Sequence, residues 1–232
     1  MSVVQFSQII LSAKRFADME NSNFISDSEW QDYVNFGLKQ YWNKINQTMQ
    51  DYNIKEVFFQ LINNQTDYAL PEDFMYTRGF DMSMGPQFPP DQVSQFWITL
   101  YPYDFKERGS YSYPWFSVYA GMYGLRYRIM STFVRFLPAP IPENWIRHSY
   151  IPVAPTFTAP TDIINGYNGF EEYAAAWAAY RALTKEESDT MNVEKIIAEW
   201  EKTIDTQAQD RNRDVGDKVS DVYRRGYFGQ WY

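Results

Sequence analysis

The sequence predicts an α+β protein: a helical bundle built from the N- and C-terminal segments, a β-rich inserted domain, and an extended C-terminal tail. Three observations carry this. Amphipathic helical periodicity occupies both ends of the chain. The middle switches to β-branched and aromatic runs separated by prolines that crowd the stretch from Pro86 to Pro160. The last residues, "YRRGYFGQWY", are half aromatic and follow neither period.

The first helix is read from Phe6, Ile9, Ile10, Ala13, Phe16 and Ala17, which recur at three-four spacing. Turn formers in "ENSNFISDSEW" end it, and Ser26 with Glu29 has the spacing of a capping box. A second helix follows, with Trp30, Val34, Leu38, Tyr41, Ile45, Met49 and Tyr52 on one stripe. Strands are expected in "IKEVFFQLI", "DYALPEDF", "FWITLY", "WFSVYAGMY", "YRIMSTFVRFL" and "IRHSYIPV". Helix returns in "NGYNGFEEYAAAWAAYRALTKEES", where Asn168 and Glu171 again have capping-box spacing and Glu171 and Glu172 suit the positive end of the helix dipole. That helix is apolar on nearly every side, so it is either the centre of its own domain or partly covered by a neighbouring subunit. The subunit reading makes Tyr173, Trp177 and Tyr180 the interface candidates. A last helix runs from near Asn192 to Arg211. The expected organisation is 1–53 with 166–212 as a helical bundle, 54–165 as the β insert, and 213–232 as the tail.

Composition narrows the chemistry. Of 232 residues, 19% are aromatic, and such side chains are enriched at interfaces. A net charge of −8 argues against a protein that grips nucleic acid by its phosphates, since such domains are basic overall or have a basic face; it leaves room for a surface that DNA merely slides past. With no cysteine and one histidine, His148, thiol chemistry, a multi-histidine metal site and a Ser-His-Asp triad are all disfavoured. His148 itself is expected to be a hydrogen-bonded core or surface residue. The start of the chain lacks the pattern of a signal peptide, and the most apolar stretch is too short to span a bilayer, so neither export nor a membrane is expected.

No glycine-rich phosphate loop opens a helix. The carboxylate pairs Glu72–Asp73 and Glu171–Glu172 are adjacent in sequence and point apart, which does not make a hydrolase site. Asp210, Asn212, Asp214 and Asp221 fall in a calcium-loop register, but Val215 stands where glycine is required and Gly216 comes one position late. No catalytic residue, metal or cofactor is expected.

Taken in order, "ADMENSNFISDSEWQDYVNFGLKQYW", "DYALPEDF", "VRFLPAP", "YIPVAP" and "NGFEEYAAAWAAYRALTKEESD" resemble the head-to-tail adaptor proteins of tailed bacteriophages, also called connector or head-completion proteins. The resemblance implies a non-enzymatic virion protein assembled in the host cytoplasm. It would form a homo-oligomeric ring, usually a dodecamer, docked beneath the portal protein. Such a ring extends the DNA channel and offers a platform for tail or nozzle proteins, while the genome passes without specific binding. It also implies that the C-terminal segment reaches the portal, making Tyr223, Arg224, Arg225, Tyr227, Phe228, Trp231 and Tyr232 the anchors. Two other classes compete. One is a glycan-binding virion protein using Trp97, Trp115 and Trp145 as stacking platforms. The other is a cell-wall hydrolase, for which the carboxylates offer no arrangement.

Overall fold

A computed structural model describes residues 2–49, 51–83, 97–111, 124–140, 144–166 and 169–211. The protein is mixed α+β, with five α-helices and three sheets among the described residues. It divides into two compact units: one runs up to Met49 and resumes at Thr156, the other is Gln50–Pro155.

The first unit holds a short strand, β1 (Ser2–Gln5), and helices α1 (Phe6–Phe16) and α2 (Asp27–Thr48). After the other unit come β10 (Ile163–Gly166), α4 (Glu171–Glu186) and α5 (Met191–Arg211). The Ser26–Glu29 capping box forms as the sequence predicts. The Glu29 N–H donates to the Ser26 hydroxyl at 3.4 Å, and the Ser26 N–H donates to the Glu29 carboxylate at 3.2 Å. That carboxylate also takes Lys185 from the end of α4 at 2.6 Å.

α4 is the centre of this unit. It packs against α1, α2 and α5, and all six of its alanines are buried. The small side chains are what allow three helices around one. Gly37 on α2 faces the Ala174 backbone so closely that a Cβ there would lie 2.9 Å from the Ala174 carbonyl carbon. The α2 stripe (Trp30, Val34, Leu38, Tyr41 and Ile45) and the α5 stripe (Val193, Ile197, Ile204 and Ala208) complete the core.

The start of α4 differs from expectation. Its N-cap is Phe170, with no side-chain cap, entered through Gly169 at φ +83°. Glu171 is therefore the first helical residue rather than the third, so it cannot complete a capping box; Asn168 lies outside the described residues. Glu171 and Glu172 do sit in the first turn, as dipole compensation requires.

Two hydrogen-bonded links hold the returning chain. β1 pairs antiparallel with β10, and the Phe6 N–H donates to the Asp162 carbonyl at 2.9 Å. Asn35, mid-α2, reads both backbone groups of Phe157: its amide donates to the carbonyl at 2.8 Å and its oxygen accepts the N–H at 2.9 Å. Asn35→Leu would leave both groups without their partner, at about 1–3 kcal/mol for an unsatisfied buried group. A loss of about 2 kcal/mol in urea unfolding, with Asn35→Asp intermediate, is the expected outcome.

The second unit is two four-stranded sheets enclosing a core. One has the order β2 (Lys55–Gln60), β9 (Trp145–Pro152), β4 (Phe74–Ser83), β5 (Trp97–Thr99) and is antiparallel. The other has the order β3 (Asp67–Ala69), β8 (Phe133–Leu137), β7 (Arg126–Met130), β6 (Tyr101–Pro102), with β6 and β7 parallel. A single residue, Leu100, separates β5 in one sheet from β6 in the other, so the chain crosses between sheets almost without a break. A 3-10 turn (Phe105–Glu107) and the short α3 (Arg108–Tyr111) follow.

Strand alternation sends Phe80, Met82 and Ile146 from one sheet and Tyr68, Val134 and Phe136 from the other into a shared core. Phe80 meets Phe136 edge-on at 5.6 Å between ring centroids. "YRIMSTFVRFL" is not one strand but the β7–β8 hairpin, because Ser131 adopts φ +51° and turns the chain. "WFSVYAGMY" lies outside the described residues.

Candidate interaction surfaces

Tyr173, Trp177 and Tyr180 form one aromatic ladder along α4. Tyr173 meets Trp177 at 6.3 Å and Trp177 meets Tyr180 at 5.7 Å, both edge-on. Phe36 of α2 extends the ladder, 6.1 Å from Trp177, and the Arg181 guanidinium lies 3.6 Å from the Phe36 ring centroid. The three residues differ in availability. Tyr173 is 3% exposed and donates its hydroxyl proton to Glu201 at 2.9 Å. Burial, followed by that carboxylate, pushes its pKa up to about 12. Trp177 and Tyr180 are half-buried and form the outer edge of the ladder.

Tyr223, Arg224, Arg225, Tyr227, Phe228, Trp231 and Tyr232 lie outside the described residues, as do Trp115 and most of the calcium-register residues. Trp97 and Trp145 are brought to one face. Trp97 is opposite Ser83, Arg147 is opposite Asp81, and Trp145 lies two residues before Arg147, so alternation puts both indoles on the outer side of their sheet. Both are half-buried, and the Arg147 guanidinium lies 5.0 Å from the Trp97 ring. Arg147 in turn pairs with Asp81 at 3.0 Å.

The carboxylate pairs have structural duties. Asp73 takes Lys55 at 2.8 Å and the Tyr150 hydroxyl at 2.8 Å; the Lys55 hydrogen bond holds its carboxyl below the ordinary range, while Glu72 is exposed. Glu172 accepts from Ser12 at 3.1 Å. One Glu171 carboxylate oxygen is buried without a hydrogen bond. Among the described residues, no three or more histidine or acidic side chains gather as a metal cage.

His148 is a core residue, but stacking rather than hydrogen bonding surrounds it. Phe80 lies parallel at 4.1 Å and Tyr150 at 5.1 Å, the imidazole is 1% exposed, and Nε2 has no hydrogen-bond partner. Desolvation pulls its pKa down to about 4.

Sequence reasoning missed a second charged face. On β7 and β8, inward residues alternate with Arg126, Arg128 and Arg135, so the outer side of the β3-β8-β7-β6 sheet carries arginines in register, with Arg128 directly opposite Arg135. The alternation "RYRIM" and "FVRFL" was the available signal.

Compared with known families, the profile described as "SU10 adaptor protein" matches residues 4–225, nearly the whole chain. The chain belongs to the SU10 adaptor protein family, a family of phage head-to-tail adaptors, and is thus a structural adaptor of the bacteriophage virion. That is not an enzyme class. No curated protein matches the chain. Among the described residues, no helix is long and apolar enough to cross a membrane.

Proposed function

We propose that this chain docks beneath the portal as a ring, usually dodecameric in such adaptors, extends the DNA channel, and presents a platform for tail or nozzle proteins. The observation that carries the reading is the family match, which runs from the first helix through both units. The helical unit supplies the ring wall, and the β unit is inserted in its sequence. The half-buried edge of the α4 ladder, Trp177 and Tyr180, is the subunit contact, with Tyr173 supporting it from inside. Residues 223–232 are the portal anchor. Aromatic and arginine side chains suit that task because they lose much water and freeze few torsions on binding. Repetition around a ring turns weak contacts into strong ones.

The carbohydrate reading has less support, since a stacking platform needs an open ring and Arg147 lies over Trp97. Deletion of Tyr223–Tyr232 tests the anchor. Capture of the truncated protein on purified portal rings is expected to fall by at least tenfold. Unchanged capture removes the anchor role without touching family membership.

A further inference from the structure

We propose that the outer face of the β3-β8-β7-β6 sheet binds nucleic acid through its phosphates, independently of sequence and of the portal reading. The chain as a whole is acidic, but its cations are not evenly spread. Of the eight Lys and Arg between Gln50 and Pro155, five (Lys106, Arg108, Arg126, Arg128 and Arg135) lie on β7, β8 or the turn and short helix after β6. The same elements and β3 contribute three acids, Asp67, Asp104 and Glu107. A local excess of positive charge therefore sits on a unit whose other described residues carry more acids than bases.

Two of those acids are visibly committed. Asp67 grips Arg135 with two hydrogen bonds, at 2.6 and 2.7 Å, which relieves the like-charge pairing of Arg135 with Arg128. Asp104 caps the turn by accepting the Lys106 N–H at 3.0 Å. Arg128 is met by different chemistry: it donates one bond to the Tyr103 carbonyl at 3.2 Å and lies 5.6 Å from the Phe105 ring. Arg126 lies over Tyr101 at 5.7 Å and Arg108 over Phe105 at 4.5 Å. The rings steady the guanidiniums, Arg108 also donates to the Phe105 carbonyl at 2.9 Å, and Tyr101 and Phe105 are themselves 64% and 38% exposed.

Arginine rather than lysine, interleaved with exposed rings on one sheet face, suits phosphates and bases together. The fork of the guanidinium matches phosphate oxygens, and any base can stack on an aromatic ring. An acidic protein surface would satisfy the arginines but leave the rings without a flat partner, so the nucleic-acid reading uses more of the face.

The experiment is fluorescence anisotropy of labelled single-stranded and duplex DNA against the full-length protein across a salt series. With Arg108, Arg126 and Arg128 as the phosphate contacts, log affinity is expected to fall with log salt at a slope of about −2 to −3. Arg126→Gln with Arg128→Gln should weaken binding at least tenfold, whereas Arg147→Gln, on the other sheet, should leave it unchanged. No binding by the wild type at low salt overturns the proposal. So does binding that survives the double substitution in folded protein, or polyglutamate displacing DNA as well as unlabelled DNA does, which would assign the face to an acidic protein. If the double variant does not fold, photocrosslinking of halogenated DNA to the wild type decides: adducts on Tyr101 or Phe105 support the face, and adducts only elsewhere overturn it.

Discussion

Gly37→Ala is expected to destabilise the helical unit by about 3 kcal/mol or more, the upper end for adding one methyl to a packed core. The reason is what the methyl would meet. An added Cβ would overlap the Ala174 carbonyl oxygen and come within 3.2 Å of its Cα, all backbone atoms of α4. A flexible side chain can swing away, but a helix backbone moves only by separating the helices. Separation here also strips contacts from Trp30, Val34 and Leu38, which are buried on the same helix. Against a total stability of about 5–15 kcal/mol, the loss is large. Urea unfolding followed by far-UV circular dichroism measures it. Gly79→Ala is the matched control, since a Cβ there meets nothing within 4 Å, and its effect should stay within about 0.5 kcal/mol. Equal midpoints for the two variants would contradict the close crossing.

The second large effect is acid sensitivity through His148. Its pKa is about 4 in the folded protein, against an ordinary 6.5. Above pH 6.5 the ring is neutral in both states and titration costs nothing. Between 6.5 and about 4 the unfolded chain takes up a proton that the folded chain refuses, so stability falls as pH falls, by about 3 kcal/mol across the window. Asp67 and Asp73 are displaced in the same direction, but from the lower ordinary value of a carboxyl. Their carboxyls are held below the ordinary value by Arg135 and Lys55, so they stabilise above that value and lose the contribution only at lower pH. The histidine therefore owns the upper part of the acid limb. His148→Phe, which keeps the stack on Phe80, should flatten stability between about pH 6.5 and 4.5. A wild-type profile already flat there would count against the buried neutral imidazole.

The helices were legible because their information is local. The Ser26–Glu29 box and the stripes of α2 and α5 need only their own neighbours in sequence. The alanine helix announced its burial, and three helices of its own unit surround it. What escaped reading depends on partners far along the chain. β1 and β10 are four residues each and pair across about 160 positions, so neither has a pattern of its own. β4 was hidden by irregular register on either side of Thr77 and by Gly79. The β7–β8 turn uses Ser131 and Thr132 rather than glycine, asparagine or proline, which disguised a hairpin as one strand. The aromatic ladder on α4 was readable from spacing; that Tyr173 faces inward was not, because Glu201, its partner, belongs to another helix. The arginine face was missed for a similar reason, since charge was weighed over the whole chain and not strand by strand.

The discontinuity of the first unit imposes an order on synthesis. α1 and α2 leave the ribosome before roughly 120 further residues are made, and the helix they pack around is among those still to come. At about 5–20 residues per second, the apolar stripes of Phe6, Ile9, Trp30 and Val34 wait roughly 6–24 s for α4. During that delay the segment Gln50–Pro155, whose own core is contiguous in sequence, has everything it needs to fold. Nascent chains are then most exposed to mispairing, and most dependent on chaperones, between the emergence of α2 and that of α4.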